Sequence, residues 1–183
     1  MENLKATKNK IDESVNADDD IYIDSKWQQQ LTQIFNIGKK HIEKLPPIAH
    51  LCRLTGFAKT AETRAWLTHY NINNVYVCAG VRGVTHLEEE NINVIFSTEE
   101  IDKMSEKDVV IVIDDYDWAK LSVRRELLNL IRFCRVVDLR EKDNGYIKNL
   151  TNVAMIVILT HPDESPFSEP YTDIENALLG EKI

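Results

Sequence analysis

DVVIVIDDYDW, residues Asp108–Trp118, runs five apolar residues, Val109–Ile113, straight into the carboxylates Asp114 and Asp115. A short, unbroken, β-branched run of this kind predicts a strand covered on both faces, as in the middle of a parallel sheet layered by helices. Unpaired carboxylates are too costly to bury with such a strand. The pair is therefore expected to emerge at the carboxyl edge of the sheet, where open α/β sheets bind their ligands. Two acids there suit a hydrated Mg²⁺ and a polarised water, and equally a strand that ends in a solvated turn.

The composition sets the frame around this strand. A chain of 183 residues, 43% hydrophobic and 28% charged, has the length and apolar content for a folded domain with a substantial core. A net charge of -8 argues against a nucleic-acid backbone binder, which would carry a basic face. Cys52, Cys78 and Cys134 lie in apolar runs without metal-ligand spacing, which reads as buried thiols in a reducing compartment. No stretch is long and apolar enough to span a membrane, and no signal-peptide core opens the chain, so the cytoplasm is the expected location.

Residues 1–24 are polar and acidic and read as a mobile tail, leaving 25–183 as one domain. Ser25 with Gln28 forms a capping box opening a helix to Leu45, with Trp27, Leu31, Ile34, Phe35, Ile42 and Leu45 along one side, Gly38 weakening its middle and Pro46-Pro47 as its stop. Ile48–Leu54 then reads as a strand, Thr55-Gly56-Phe57-Ala58-Lys59-Thr60 as a loop, and 61–70 as a helix. That order is the context of a phosphate-binding loop: backbone N–H groups point at an anion, a lysine adds a point charge, and the next hydroxyl joins a Mg²⁺ shell. Against the pattern Gly-x-x-x-x-Gly-Lys-Ser/Thr, Arg53 and Ala58 replace the glycines, so the stretch also reads as an ordinary strand–loop–helix junction. Alanine can adopt a helical backbone, so Ala58 is tolerable there where its methyl does not crowd the phosphate.

Downstream, 75–79 predicts a buried strand, 80–93 an exposed loop, and Val94-Ile95-Phe96 a short strand or a packing plug. Ser97 with Glu100 caps a helix running to about Ser105. Ser122–Phe133 is expected to be a helix with Leu127, Leu128, Leu130 and Ile131 on the core side and Arg124, Arg125 and Arg132 mainly in solvent. Arg135–Asp138 and the turn signal Asp143-Asn144-Gly145 suggest a hairpin. Val153–Leu159 is a further buried strand ending in Thr160-His161-Pro162, where His161 would sense a phosphate, orient a water or simply shape the turn. A short helix over 173–179 follows. Alternating strands and helices predict an α/β fold: a three-layer αβα sandwich with a mainly parallel sheet.

Taken together, RLTGFAKT (53–60), VVIVIDDYDWA (109–119) and VAMIVILTHPDE (153–164) resemble the Walker A loop, Walker B strand and sensor-1 strand of P-loop NTPases of the AAA+ class, within it the MoxR-like branch. DIENALLGEK (173–182) resembles the stretch before that class's arginine finger, with Lys182 in the finger position. The resemblance implies an ATP and Mg²⁺ site. Thr55, Gly56, Phe57, Ala58, Lys59 and Thr60 would cradle the phosphates, with Lys59 on the β/γ-phosphates. Thr60 and Asp114 would hold the metal, Asp115 would polarise the attacking water, His161 would sense the γ-phosphate, and Lys182 would complete a neighbour's site. It further implies a homo-oligomeric ring, or a second chain supplying the lid that such domains carry after this point, and a remodelled protein partner. Three readings follow: a slow or partner-dependent ATPase, an inactive relative serving as a binding or scaffolding module, or an α/β domain of another kind in which the motifs are coincidence. The second draws on Arg53 and Ala58 in place of glycines, on Asp115 in place of a longer Glu, and on Lys182, which lacks the planar fork of arginine.

Overall fold

The computed structural model describes residues 24–40, 45–54, 58–83, 85–87, 92–138, 140, 147–162 and 170–179. Its centre is a sheet of four parallel strands, β1 (Ile48–Cys52), β2 (Asn74–Cys78), β5 (Val109–Asp114) and β8 (Val153–Thr160), in the spatial order β1-β8-β5-β2. The two all-apolar runs of the sequence take the two central places, and every residue of β5 and β8 is buried. Alternation along β2, and partial exposure at both ends of β1, mark those strands as edges.

Helices cover both faces, giving the α/β three-layer sandwich that the sequence predicts. On one face, α1 (Lys26–Gly38) and α2 (Lys59–His69) pack Trp27, Leu31, Trp66 and Leu67 against Val110, Val112, Met155 and Val157. Both indoles are fully buried, so each N–H requires a partner. Trp27 donates to Thr63 Oγ1 and Trp66 to Thr32 Oγ1, each at 2.9 Å, which ties α1 to α2. On the other face, α3 (Thr98–Met104), α4 (Leu121–Phe133) and α5 (Asp173–Leu179) bring Ile101, Met104, Val123, Leu127, Leu130 and Leu179 against Ile111, Ile113, Ile156 and Ile158. Both expected capping boxes form, at Ser25/Gln28 and at Ser97/Glu100.

Several expectations are corrected. The first helix ends at Gly38 rather than Leu45, and Leu45 is exposed. A Cβ on Gly38 would stand 1.7 Å from the carbonyl oxygen of Ala154, so the glycine lets the end of α1 meet the backbone of β8. The stretch expected as a loop over 80–93 contains β3 (Thr85–Leu87), paired antiparallel with β4 (Ile92–Val94). Ile95 and Phe96 are the buried plug. A hairpin does form between β6 (Arg135–Val137) and β7 (Ile147–Asn149); its expected turn lies outside the described residues, as do residues 1–23 of the expected tail. Of the cysteines only Cys134 is buried, its thiol pushed up to about 11 by that burial. Leu128 is half-buried.

Arg124, expected in solvent, is fully buried between α4 and α5. Its Nε lies 3.2 Å from Glu175 Oε1, with neither side chain exposed, and its guanidinium donates to the carbonyl of Pro170 at 3.2 Å. Tyr116 donates to the same Glu175 oxygen at 2.8 Å, and Thr172 donates to the other. Buried His50 fastens the far end of α5: its Nδ1–H donates to the carbonyl of Leu179 at 3.0 Å, and its Nε2 accepts from Thr160 Oγ1 at 2.8 Å.

Candidate functional site

Parallel strands place all their carboxyl ends at one edge, and side chains far apart in sequence meet there. Asp114 closes β5 and turns its carboxylate toward the start of α2. Thr60 Oγ1 donates to Asp114 Oδ2 at 2.8 Å across 54 positions of sequence. Tyr76, on β2, donates to the same oxygen at 2.6 Å, and the backbone N–H of Asp115 donates to Oδ1 at 3.0 Å. The sequence predicts an emergent, unburied acid; instead Asp114 is only 4% exposed. Three neutral donors are the physical reason: they satisfy the carboxylate without cancelling its charge. Burial, and then the bond to Asp114, push the Tyr76 hydroxyl well above the ordinary tyrosine range, so it remains a donor.

Lys59 opens α2 and is 6% exposed. Its Nζ lies 2.7 Å from His161 Nε2, 102 residues away at the end of β8. Ala58 precedes the helix with φ 52°, a left-handed conformation rather than the helical backbone open to alanine without strain. This is the conformation a glycine would take most readily. Ala58 carries no side-chain acceptor, so the first-turn N–H groups of α2 have no cap from this residue. Arg53, where the loop motif has its first glycine, pairs with Glu62 of α2 at 3.1 Å. Thr55, Gly56 and Phe57 lie outside the described residues, as does Lys182.

Asp115, also left-handed at φ 53°, is the more open carboxylate, with 30% of its side chain exposed. Its Oδ1 stands 3.7 Å from His161 Nε2, and Cys78 donates to its Oδ2 at 3.5 Å. Burial, followed by that bond to Asp115, raises the Cys78 pKa and keeps it a thiol. His161 is held on its remaining sides as well. Nδ1 lies 3.2 Å from Asp117 Oδ2, the His161 backbone N–H donates to that oxygen at 3.3 Å, and Trp118 stacks on the ring with centroids 4.8 Å apart. Gly80 permits this crowding: a Cβ there would stand 3.2 Å from Trp118 Cβ and 3.3 Å from Asp115 Cβ.

Of the residues expected to form the site, the structure brings Lys59, Thr60, Asp114, Asp115 and His161 to one edge. Tyr76, Asp117 and Trp118 are additional members. Tyr76 carries no motif, since a tyrosine in a β-strand is ordinary; Asp117 and Trp118 sit within the stretch that decides the fold, but their reach to His161 requires β5 and β8 to be neighbours.

The donor set fits a Mg²⁺–nucleotide. Mg²⁺ takes hard oxygens, commonly one or two carboxylates together with substrate phosphates, rather than an all-protein cage. Thr60 and Asp114 supply such oxygens, and among the described residues no cluster of three or more His, Cys, Asp or Glu forms a closed metal cage. Lys59 and the opening turn of α2 supply a positive counterpart for phosphate.

No family model matches the chain, and no curated protein matches it. Among solved structures it is similar to a K64R mutant of RuvB from Thermotoga maritima at 12% identity and TM-score 0.44, covering 76% of this chain and 39% of that one. It is also similar to NtrX from Brucella abortus in complex with ATP at 14% identity and TM-score 0.44, covering 78% of this chain and 30% of that one. The chain thus spans well under half the length of these structures, and neither likeness is close enough to assign a family or an activity.

Proposed function

We propose that the chain is an ATP-binding protein of the AAA+ type, of the MoxR-like branch on its motifs, that holds Mg-ATP at the carboxyl edge of its sheet and hydrolyses it slowly or with a partner's help. The observation that carries this reading is the meeting there of Lys59 with His161, across 102 positions of sequence, beside the Thr60–Asp114 pair, across 54. Lys59 would hold the β/γ-phosphates, and Thr60 with Asp114 would hold Mg²⁺, which when bound neutralises charge on the phosphate oxygens. Asp115, exposed enough to meet solvent, would orient a water for in-line attack and take its proton, and His161 would report on the γ-phosphate. Residues 55–57 would complete the cradle. Lys182 would act on a neighbouring subunit, in a ring or with a second chain that supplies lid elements. The remodelled partner would be a protein, in the cytoplasm; among the described residues no helix is long and apolar enough to cross a membrane.

One observation favours a second reading, an inactive relative used as a scaffold. Asp115 is a methylene shorter than Glu, and its carboxylate is already engaged by Cys78. Phosphate release from Mg-ATP separates the two. Wild-type chain is expected to release phosphate, and Asp115→Asn is expected to lose that release by roughly 10²-fold or more while still binding ATP. Equal background release from both proteins excludes a slow ATPase acting alone and leaves the scaffold or a form that turns over only with its partner.

A further inference from the structure

Among the described residues, His161 is met at both ring nitrogens and on its ring face, and these contacts dictate where its proton sits. An ammonium has donors and no acceptor, so Lys59 Nζ, 2.7 Å from Nε2, requires an unprotonated Nε2. The ring proton then belongs on Nδ1, facing Asp117 Oδ2 at 3.2 Å and Oδ1 at 3.4 Å. Asp117 also accepts from the His161 backbone N–H, and Trp118 stacks on the ring, so neither the ring's height nor its tilt is free. Among the described residues, the charged groups around the imidazole are Lys59, Asp115 and Asp117; Asp115, 3.7 Å from Nε2, is beyond hydrogen-bond reach.

We infer that Asp117 is a positioning residue: it holds His161 in the Nδ1–H tautomer, and the Nε2 lone pair caps the Lys59 ammonium until an anion takes its place. The 3₁₀ turn that carries Asp117 and Trp118 follows β5, and His161 follows the adjacent β8, so the pairing of the two strands brings the acid to the ring. Burial of the Asp117 carboxylate, which raises its pKa, is a cost that the His161 contacts only partly offset. Such a cost is expected where a site, rather than the fold, is being organised. The capping half of the inference rests on the nucleotide reading; the tautomer half does not.

The test is ¹⁵N NMR of the histidine side chains in the full ligand-free chain, with His161 assigned by comparison with His161→Gln. The expected result is one tautomer, Nδ1 protonated and Nε2 not, that persists in Lys59→Met, where Asp117 alone holds it, and is lost when the acceptor is removed as well, in Lys59→Met with Asp117→Leu. Should the double variant not fold, Lys59→Met alone supplies the reading: removing the ammonium is expected to shift Nε2 and leave Nδ1 protonated, and loss of the tautomer there overturns the inference. A wild-type Nε2–H tautomer overturns the inference, and so does a tautomer indifferent to the removal of Asp117 in the Lys59→Met background. Addition of Mg-ATP then separates the two claims. Expected tautomer with no response of Nε2 to ATP leaves the positioning role and removes the nucleotide reading; a nucleotide response with the wrong tautomer does the reverse.

Discussion

At the scale of single residues, the site is a set of charges held by neutral donors and by one another. Asp114 is buried with its carboxylate oxygens satisfied by Thr60, Tyr76 and a backbone N–H. Asp117 has the opposite balance: burial raises its pKa above that of an exposed aspartate, and His161 pulls it back only in part. The sign of the pH effect follows from linkage. A raised pKa favours the protonated folded form below the ordinary value of about 4, and that advantage fades as pH rises through the folded value. Asp117→Asn carries no charge at any pH. Its stability relative to wild type is therefore expected to improve between roughly pH 4 and pH 7, read from urea midpoints of both proteins at the two pH values. A gap that is constant or shrinks would contradict this account. Lys59, Thr60, Asp114, Asp115 and His161 were all legible in the sequence as polar groups following apolar strands or a loop. Tyr76, Asp117 and Trp118 were not, because their roles depend on which strands are neighbours, and nothing in local spacing reports the order β1-β8-β5-β2.

At the scale of elements, long apolar runs and capping boxes were read correctly, because burial on both faces and cap chemistry leave direct marks in the sequence. The end of α1 was misjudged, since the apolar spacing continues past Gly38 while the approach of Ala154 does not show locally. The misreading of Arg124 has the same origin. Its partner Glu175 is 51 positions away on α5, and an arginine on a helix looks solvated until that helix is covered. The pair fastens α5 to the rest of the domain, with Tyr116 on the same carboxylate. Removing one partner of a buried ion pair strands the other, so Glu175→Gln is expected to cost about 3–5 kcal/mol of unfolding free energy. An apolar pair, Arg124→Met with Glu175→Leu, is expected to recover most of that loss, as chemical denaturation of the three proteins would reveal. A near-neutral Glu175→Gln would mean that α5 is held by something else.

At the scale of the whole molecule, the sheet's carboxyl edge collects contributions from α2, β2, β5 and β8, so a ligand there bridges several elements at once. Binding to the folded state alone stabilises it by mass action, about 2.7 kcal/mol at a hundred times the dissociation constant. For a chain of this size that corresponds to a rise of roughly 5–10 °C in Tm with Mg-ATP, and the rise is expected to fall to about half or less in Lys59→Ala at the same ATP concentration.

The most direct measurement is calorimetric titration of the full chain with ATP, with and without Mg²⁺, beside Lys59→Ala. Binding strengthened by Mg²⁺ and weakened roughly tenfold to a hundredfold in the variant, as loss of a hydrogen bond to a charged group predicts, is the expected result. Absence of heat up to millimolar ATP, or equal binding by the wild type and Lys59→Ala, would contradict the claim that this edge is a nucleotide site.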